Sequence, residues 1–191
     1  MVLHTKCHII LHLLKKLSLI FIVFVFSELV LADKIEYRVK AAYLYQFTKF
    51  TQWPILSEEQ KNNPIRICIL GDNPFGSVLD KLSKKTSQNR YLLLEYLTFP
   101  KNSLDIVNCQ LIFISSSEEP RLTKILKLTE NSPVLTVSDM KNFALRGGII
   151  GLVLDNQKIR LEINFEASAA AGLKISSKLL EIATVIKSKM N

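Results

Sequence analysis

The pattern that most restricts this chain is a repeated unit, in which a short run of branched and apolar residues gives way at once to a polar cluster. Ile65–Leu70 leads into Gly71-Asp72-Asn73-Pro74-Phe75-Gly76, Gln110–Ser115 into Ser116-Ser117-Glu118-Glu119, and Val134–Val137 into Ser138-Asp139. Tyr91–Leu97 is a further run, followed by a turn at Pro100–Ser103 and a short helical piece. The runs read as strands and the clusters behind them as helix starts. Asp72 or Asn73 is placed to cap a helix from Pro74 to about Leu82. Ser116 with Glu119 has the capping-box spacing for a helix over Glu118–Thr129, and Gly147-Gly148 stops a short turn of helix begun at Ser138-Asp139.

The flanks complete the architecture. Tyr37 to Trp53 is nearly free of Gly and Pro and ends at Pro54, which predicts a helix. Its apolar residues Val39, Ala42, Tyr43, Leu44, Phe47 and Phe50 spread over more than half the circumference, as in a helix that is deeply buried or packed on a second subunit. Leu56–Asn63 and Lys84–Arg90 read as polar loops. Ile149–Leu154 and Lys158–Asn164, joined by Asp155-Asn156-Gln157, form an antiparallel hairpin. In its second strand Ile159, Leu161 and Ile163 make a dry face, and Arg160, Glu162 and Asn164 a wet one. From Glu166 to the C-terminus the chain reads as helix interrupted near Gly172, with Ile175, Leu179, Ile182 and Ile186 inward. Strands alternating with helices and then a hairpin define an α/β fold: a single domain, with a mixed, mostly parallel sheet and helices on both faces.

Residues 1–32 stand apart. Lys6, Lys15 and Lys16 precede an apolar stretch from Leu17 to Val30 that ends in Val30-Leu31-Ala32, the form of a signal peptide cleaved after Ala32. A retained anchor is the rival, but Leu17 to Ala32 is shorter than the roughly 20 residues a span needs. Extending it to Ile9 would bury Lys15 and Lys16 at about 2.5–3.5 kcal/mol each. Residues 33–191 are then one exported domain, and a bacterial periplasm fits best. The formal charge is +8, and without the leader 22 basic residues face 16 acidic ones.

The leader also takes with it all three histidines, His4, His8 and His12. Ser-His-Asp and Cys-His mechanisms need an imidazole base, and the common zinc sites need imidazole or several thiolates. Neither is available, so no catalytic residue, metal or cofactor is assigned. Cys68 and Cys109 are the remaining thiols, and an oxidising compartment allows them a single pairing, with two separate buried thiols as the alternative.

Ligands of such sheets collect at the carboxyl ends of the parallel strands. Asp72, Asn73, Phe75, Ser116 and Asp139 lie there and form the candidate crevice for a ligand or partner. No phosphate-loop ending is present, and helix capping explains each cluster equally well. A Ser-Lys dyad of Ser115, Ser116 or Ser117 with Lys124 is set aside because Lys124 is two turns along its helix. The basic groups Lys81, Lys84, Lys85, Arg90 and Lys174, Lys178, Lys187, Lys189 lack the interleaved aromatics of single-strand binders, so no nucleic acid is expected and they read as solvated surface.

Tyr37-Arg-Val-Lys-Ala-Ala-Tyr-Leu-Tyr-Gln-Phe-Thr-Lys-Phe-Thr-Gln-Trp-Pro54 resembles the opening helix of the YfiR-like family. Ile67-Cys-Ile-Leu-Gly-Asp-Asn-Pro-Phe-Gly76, Cys109-Gln-Leu-Ile-Phe-Ile-Ser115, Val134-Leu-Thr-Val-Ser-Asp139, Gly147-Gly148-Ile149-Ile150-Gly151 and the stretch from Ile159 through Leu180 follow in the same order. The resemblance implies a dimeric periplasmic regulator that represses an inner-membrane diguanylate cyclase by binding its periplasmic sensor part. An OmpA-like outer-membrane lipoprotein relieves the block by sequestering the regulator. It also matches Cys68 and Cys109 to the family's structural disulfide, while a second pair found in some members near the double glycine is missing here. The alternative is a periplasmic small-ligand binding module with no cyclase client, using the Asp72/Ser116/Asp139 crevice; a histidine-free enzyme is a third reading. Phe75, Tyr43 and Trp53 are the aromatic candidates for a client surface, unless all three are core.

Overall fold

The computed structural model describes residues 35–54, 62–99 and 104–186. The leader, the loop at 55–61 and the turn at Pro100–Ser103 lie outside the described residues. From Arg38 onward the chain forms one compact body.

In chain order the elements begin with α1 (35–50), β1 (Thr51–Gln52) and β2 (Ile65–Leu70). A 3₁₀ turn, Gly76–Lys81, precedes β3 (Thr86–Ser87) and β4 (Arg90–Leu97). Next come α2 (Leu104–Val107), β5 (Leu111–Ile114), a 3₁₀ segment Ser116–Arg121 and α3 (Leu122–Thr129). The chain continues with β6 (Leu135–Ser138), β7 (Ile150–Asp155), β8 (Lys158–Asn164) and α4 (Phe165–Ala170). It closes with β9 (Lys174–Ile175), α5 (Ser177–Leu180) and β10 (Ala183–Ile186).

One 8-stranded sheet carries the fold, in the order β10-β8-β7-β6-β5-β2-β4-β3. The five strands from β7 to β4 run parallel to one another, β8 returns antiparallel to β7, and β10 lies parallel to β8. The α/β class and the hairpin stand as expected.

The middle of the sheet is buried on both sides because its strands β2, β5 and β6 are apolar at every position but Arg66, Thr136 and Ser138. Register places Ile67 beside Leu111 and Phe113 beside Val137 on one face, and Cys68 beside Ile112 on the other. The second face packs Cys68, Leu70, Ile112 and Ile114 against Ile106 of α2 and Leu122 and Ile125 of α3. Cys68 and Cys109 are joined there, with Cα atoms 6.0 Å apart. Across the first face runs α1, held from the end of β6 (Lys40 to Asp139) to β3 (Tyr45 Oη donating to the Thr86 carbonyl, 3.1 Å). Its buried stripe is Lys40, Ala41, Leu44, Phe47 and Thr48, a helical spacing; Val39 and Ala42 face outward, so the helix is less greasy than its composition suggests.

Several local expectations are overturned. The stretch after Pro74 forms a 3₁₀ turn begun at Phe75 with no side-chain cap; Asn73 Oδ1 instead accepts from Phe75 N at 3.0 Å in a tight turn. Ser116–Arg121 is likewise 3₁₀, with no capping-box bond, and Pro120, which has no N–H to give, delays the α-helix to Leu122. Asn164 is buried rather than wet: it accepts from Ala167 N to cap α4 and donates to the Ala144 carbonyl. The expected C-terminal helix survives only as the short α4 and α5, with strands β9 and β10 in place of the rest, and residues 187–191 lie outside the described residues. Gly172, at φ +70°, ends α4, β9 pairs with β1, and the β-branched run at Ile182–Ile186 joins the sheet as β10. Ile175 and Leu179 are buried as expected, whereas Ile182 is exposed.

The disulfide closes a loop with a sequence separation of 41. The double variant Cys68→Ala/Cys109→Ala is therefore expected to lose about 4 kcal/mol in the chain-entropy account. Urea unfolding of variant and parent measures it, and the difference should vanish when the parent is reduced.

Candidate functional site

The topology gathers the predicted crevice residues at one end of the sheet, after three adjacent strands. Asp72 and Asn73 follow β2, Ser116 follows β5 and Asp139 follows β6. Phe75 belongs to the same loop, but its ring points inward, is 3% exposed and meets Phe113 edge-on at 4.8 Å.

The loops are pressed together. Asp72 N donates to Ser117 Oγ at 2.9 Å. Gly71 sits at φ +88°, and a Cβ there would come within 2.5 Å of Ser117 Oγ and 2.8 Å of Glu118 Cγ. Glycine is needed for both reasons, the left-handed backbone and the close approach. Glu118 is itself buried and paired with Arg121 at 3.1 Å. The space between the β2 and β5 loops is thus occupied by the protein's own side chains.

Asp139 is likewise committed. Its carboxylate accepts from the Lys40 ammonium of α1, with side-chain exposures of 3% for Lys40 and 11% for Asp139. Beside it Ser138 Oγ donates to the Ile114 carbonyl at 2.7 Å and accepts from Met140 N at 3.1 Å. These contacts tie the β6 loop to β5 and α1. The crevice residues share one end of the sheet: Asp72, Asn73 and Ser116 are exposed there, while Phe75 and Asp139 are held by internal contacts.

The aromatic candidates are also anchored. Trp53 is half-buried, with Nε1 donating to the Gln110 carbonyl at 2.9 Å, and Tyr43 stacks on Phe47 at 6.0 Å. Arg90 leaves the basic patch to donate to the carbonyls of Asn63 and Pro64, and its burial lowers its pKa. Among the described residues no three His, Cys, Asp or Glu side chains come together as a metal site, and no helix is long and apolar enough to cross a membrane.

Two features escaped the sequence reading. A cavity of about 350 Å³ opens beside α3, lined by Leu126, Val134, Thr136, Gly147, Ile149 and Ala170. Its walls come from segments far apart in sequence, so only the folded chain assembles them. Exposed apolar side chains lie along the edge region of the sheet, with Tyr91, Leu93 and Tyr96 on β4 and Ile182 and Val185 at β10. Burial raises the Tyr96 pKa, and the neighbouring Asp80 charge and hydrogen bond raise it further.

Fold and site together define a disulfide-stapled α/β domain whose carboxyl-end loops are sealed against each other. Residues 37–184 match the YfiR/HmsC-like family, and the chain belongs to it. The family is one of periplasmic regulators that act with a diguanylate cyclase.

Breaking the Lys40–Asp139 pair from one side should cost about 3–5 kcal/mol, since the remaining buried charge loses this contact. Lys40→Met is expected to lower the unfolding midpoint strongly and Lys40→Met/Asp139→Leu to restore much of it, as chemical denaturation will show. Gly71→Ala is expected to destabilise by at least about 1–3 kcal/mol through the clash with Ser117 and Glu118, measured the same way.

Proposed function

We propose that this chain, freed of residues 1–32, is a periplasmic repressor that binds the periplasmic sensor part of an inner-membrane diguanylate cyclase and so lowers cyclic-di-GMP synthesis. An OmpA-like outer-membrane lipoprotein competes for it and relieves the repression, and the regulator is a homodimer. Family membership over residues 37–184 carries this reading. The packed loops support it: Ser117, Glu118 and Asp139 spend side-chain polar groups on internal bonds, which suits a rigid binding body better than a reaction centre. Regulation of this kind needs only a surface whose affinity differs between client and competitor. The mature chain corresponds to one domain, residues 33–191.

The small-ligand reading retains one supporting observation, the cavity beside α3, which lies away from the crevice that first suggested it. Its volume falls in the range of small-molecule pockets. A ligand there would adjust the regulator rather than replace its partner.

Crosslinking in cells followed by affinity capture of the tagged chain is the test of partnership. The expected result is recovery of a membrane cyclase and an OmpA-like lipoprotein, together with raised cyclic-di-GMP when the chain is deleted. Recovery of neither, with an unchanged cyclic-di-GMP level, would refute the proposal.

A further inference from the structure

We infer that the corner where the end of α1 meets the loop before β3 docks on an anionic phospholipid bilayer, with Lys49, Lys84 and Lys85 as its headgroup contacts. The inference goes beyond the partner reading above and does not depend on it.

Sequence alone places Lys81, Lys84, Lys85 and Arg90 in one basic group of solvated surface, and the folded chain rearranges that group. Arg90 leaves it for the carbonyls of Asn63 and Pro64, and Lys49 of α1 joins it. The Lys49 ammonium stands 4.4 Å and the Lys85 ammonium 5.1 Å from the centroid of the Tyr45 ring. At that range the negative face of the ring attracts a cation. The ring is fixed in turn by its hydroxyl, which donates to the Thr86 carbonyl at 3.1 Å. Gln88 closes the corner by donating to the carbonyls of Thr48 and Thr51. Two like charges are thus gathered by one phenol ring, with Lys84 next in the chain.

The corner has no counter-charge of its own. No carboxylate occurs from Tyr37 to Trp53, and Asp80, the one acid between Gly76 and Asn89, shares a hydrogen bond with Tyr96 instead. Lys49, Lys84 and Lys85 are exposed and make no ion pair with a described residue. The macrodipole of α1 favours a cation in its last turn, which accounts for Lys49 but for neither Lys84 nor Lys85. Positive charge concentrated in this way draws anions to the corner.

The neighbouring side chains point to a bilayer as the occupant. Tyr91 of β4 is 75% exposed and sits in register with Thr86, and Leu93 is 41% exposed two residues on. Tyrosine beside lysine is the composition that settles at a membrane–water interface, the ring at headgroup level and the ammonium on phosphate. Three long, exposed lysines suit a fluid array of headgroups, which adapts to them, better than a fixed acidic face that must match their geometry. Each lysine close to an anionic surface is worth about fivefold in partitioning, so attachment is weak, reversible and salt-sensitive.

Co-sedimentation of the mature, disulfide-intact chain with vesicles is the test. Binding is expected to vesicles of phosphatidylcholine and phosphatidylglycerol in equal parts, not to phosphatidylcholine alone, and it should disappear in molar sodium chloride. Lys49→Gln/Lys84→Gln/Lys85→Gln should lower the partition coefficient at least about tenfold, and the same three positions changed to Arg should retain it. Lys127→Gln/Lys141→Gln/Lys158→Gln removes as much charge from other exposed sites and should change it less than about twofold. Far-UV circular dichroism of all three variants should match the parent. Equal losses in the two Gln variants would assign the binding to diffuse net charge and overturn this surface. Absence of binding to the anionic vesicles would overturn it too. If the first Gln variant then weakened capture of the cyclase's isolated sensor part, the corner would belong to an acidic protein face instead.

Discussion

Everything in this molecule hangs on the side-by-side packing of β2 and β5 at the middle of the sheet. Both strands are buried on both faces, so each demands a layer on either side. α1 supplies one layer; α2 and α3 supply the other, and the Cys68–Cys109 bond sits within it. The two strands are parallel neighbours, so the loops that follow them emerge at the same end and must share space. Gly71 is the residue that lets them do so.

A ligand site at the carboxyl ends of a parallel sheet needs polar groups held ready and a volume left open. Here Ser117 accepts from the Asp72 backbone, Glu118 turns inward to Arg121, and Asp139 is taken by Lys40. At the end of the sheet that binds a small molecule in many α/β proteins, these side chains hold neighbouring loops together. Membership of the YfiR/HmsC-like family accords with that use, since a regulator that docks on another protein gains from a preorganised surface.

The sheet was legible because its strands are marked twice, by branched apolar runs and by the polar clusters that terminate them. Ile65–Leu70 and Lys158–Asn164 match their expected bounds, and the tight turn at Asn156-Gln157, both at positive φ, sits where the sequence breaks. The C-terminal third was misread for a specific reason. Ile175, Leu179, Ile182 and Ile186 fit a helical stripe by spacing alone, but the branched residues from Ile182 onward and the break at Gly172 favour short segments and a strand. Capping patterns at Ser116 and Asn73 were real polar turns that started 3₁₀ segments instead of α-helices. The fate of the crevice was not legible, because the pairs that seal it join residues such as Lys40 and Asp139 that lie far apart along the chain. Nothing in a lysine on an amphipathic helix announces that it will be buried.

The most direct measurement of the central claim is reconstitution. The purified cyclase, placed in proteoliposomes with its sensor part accessible, is titrated with the mature chain while cyclic-di-GMP production is followed. The account predicts saturable inhibition that appears without any substrate being consumed by the chain itself, and that reverses when the lipoprotein's soluble domain is added. Cyclase turnover that stays constant at every concentration of the chain would contradict it.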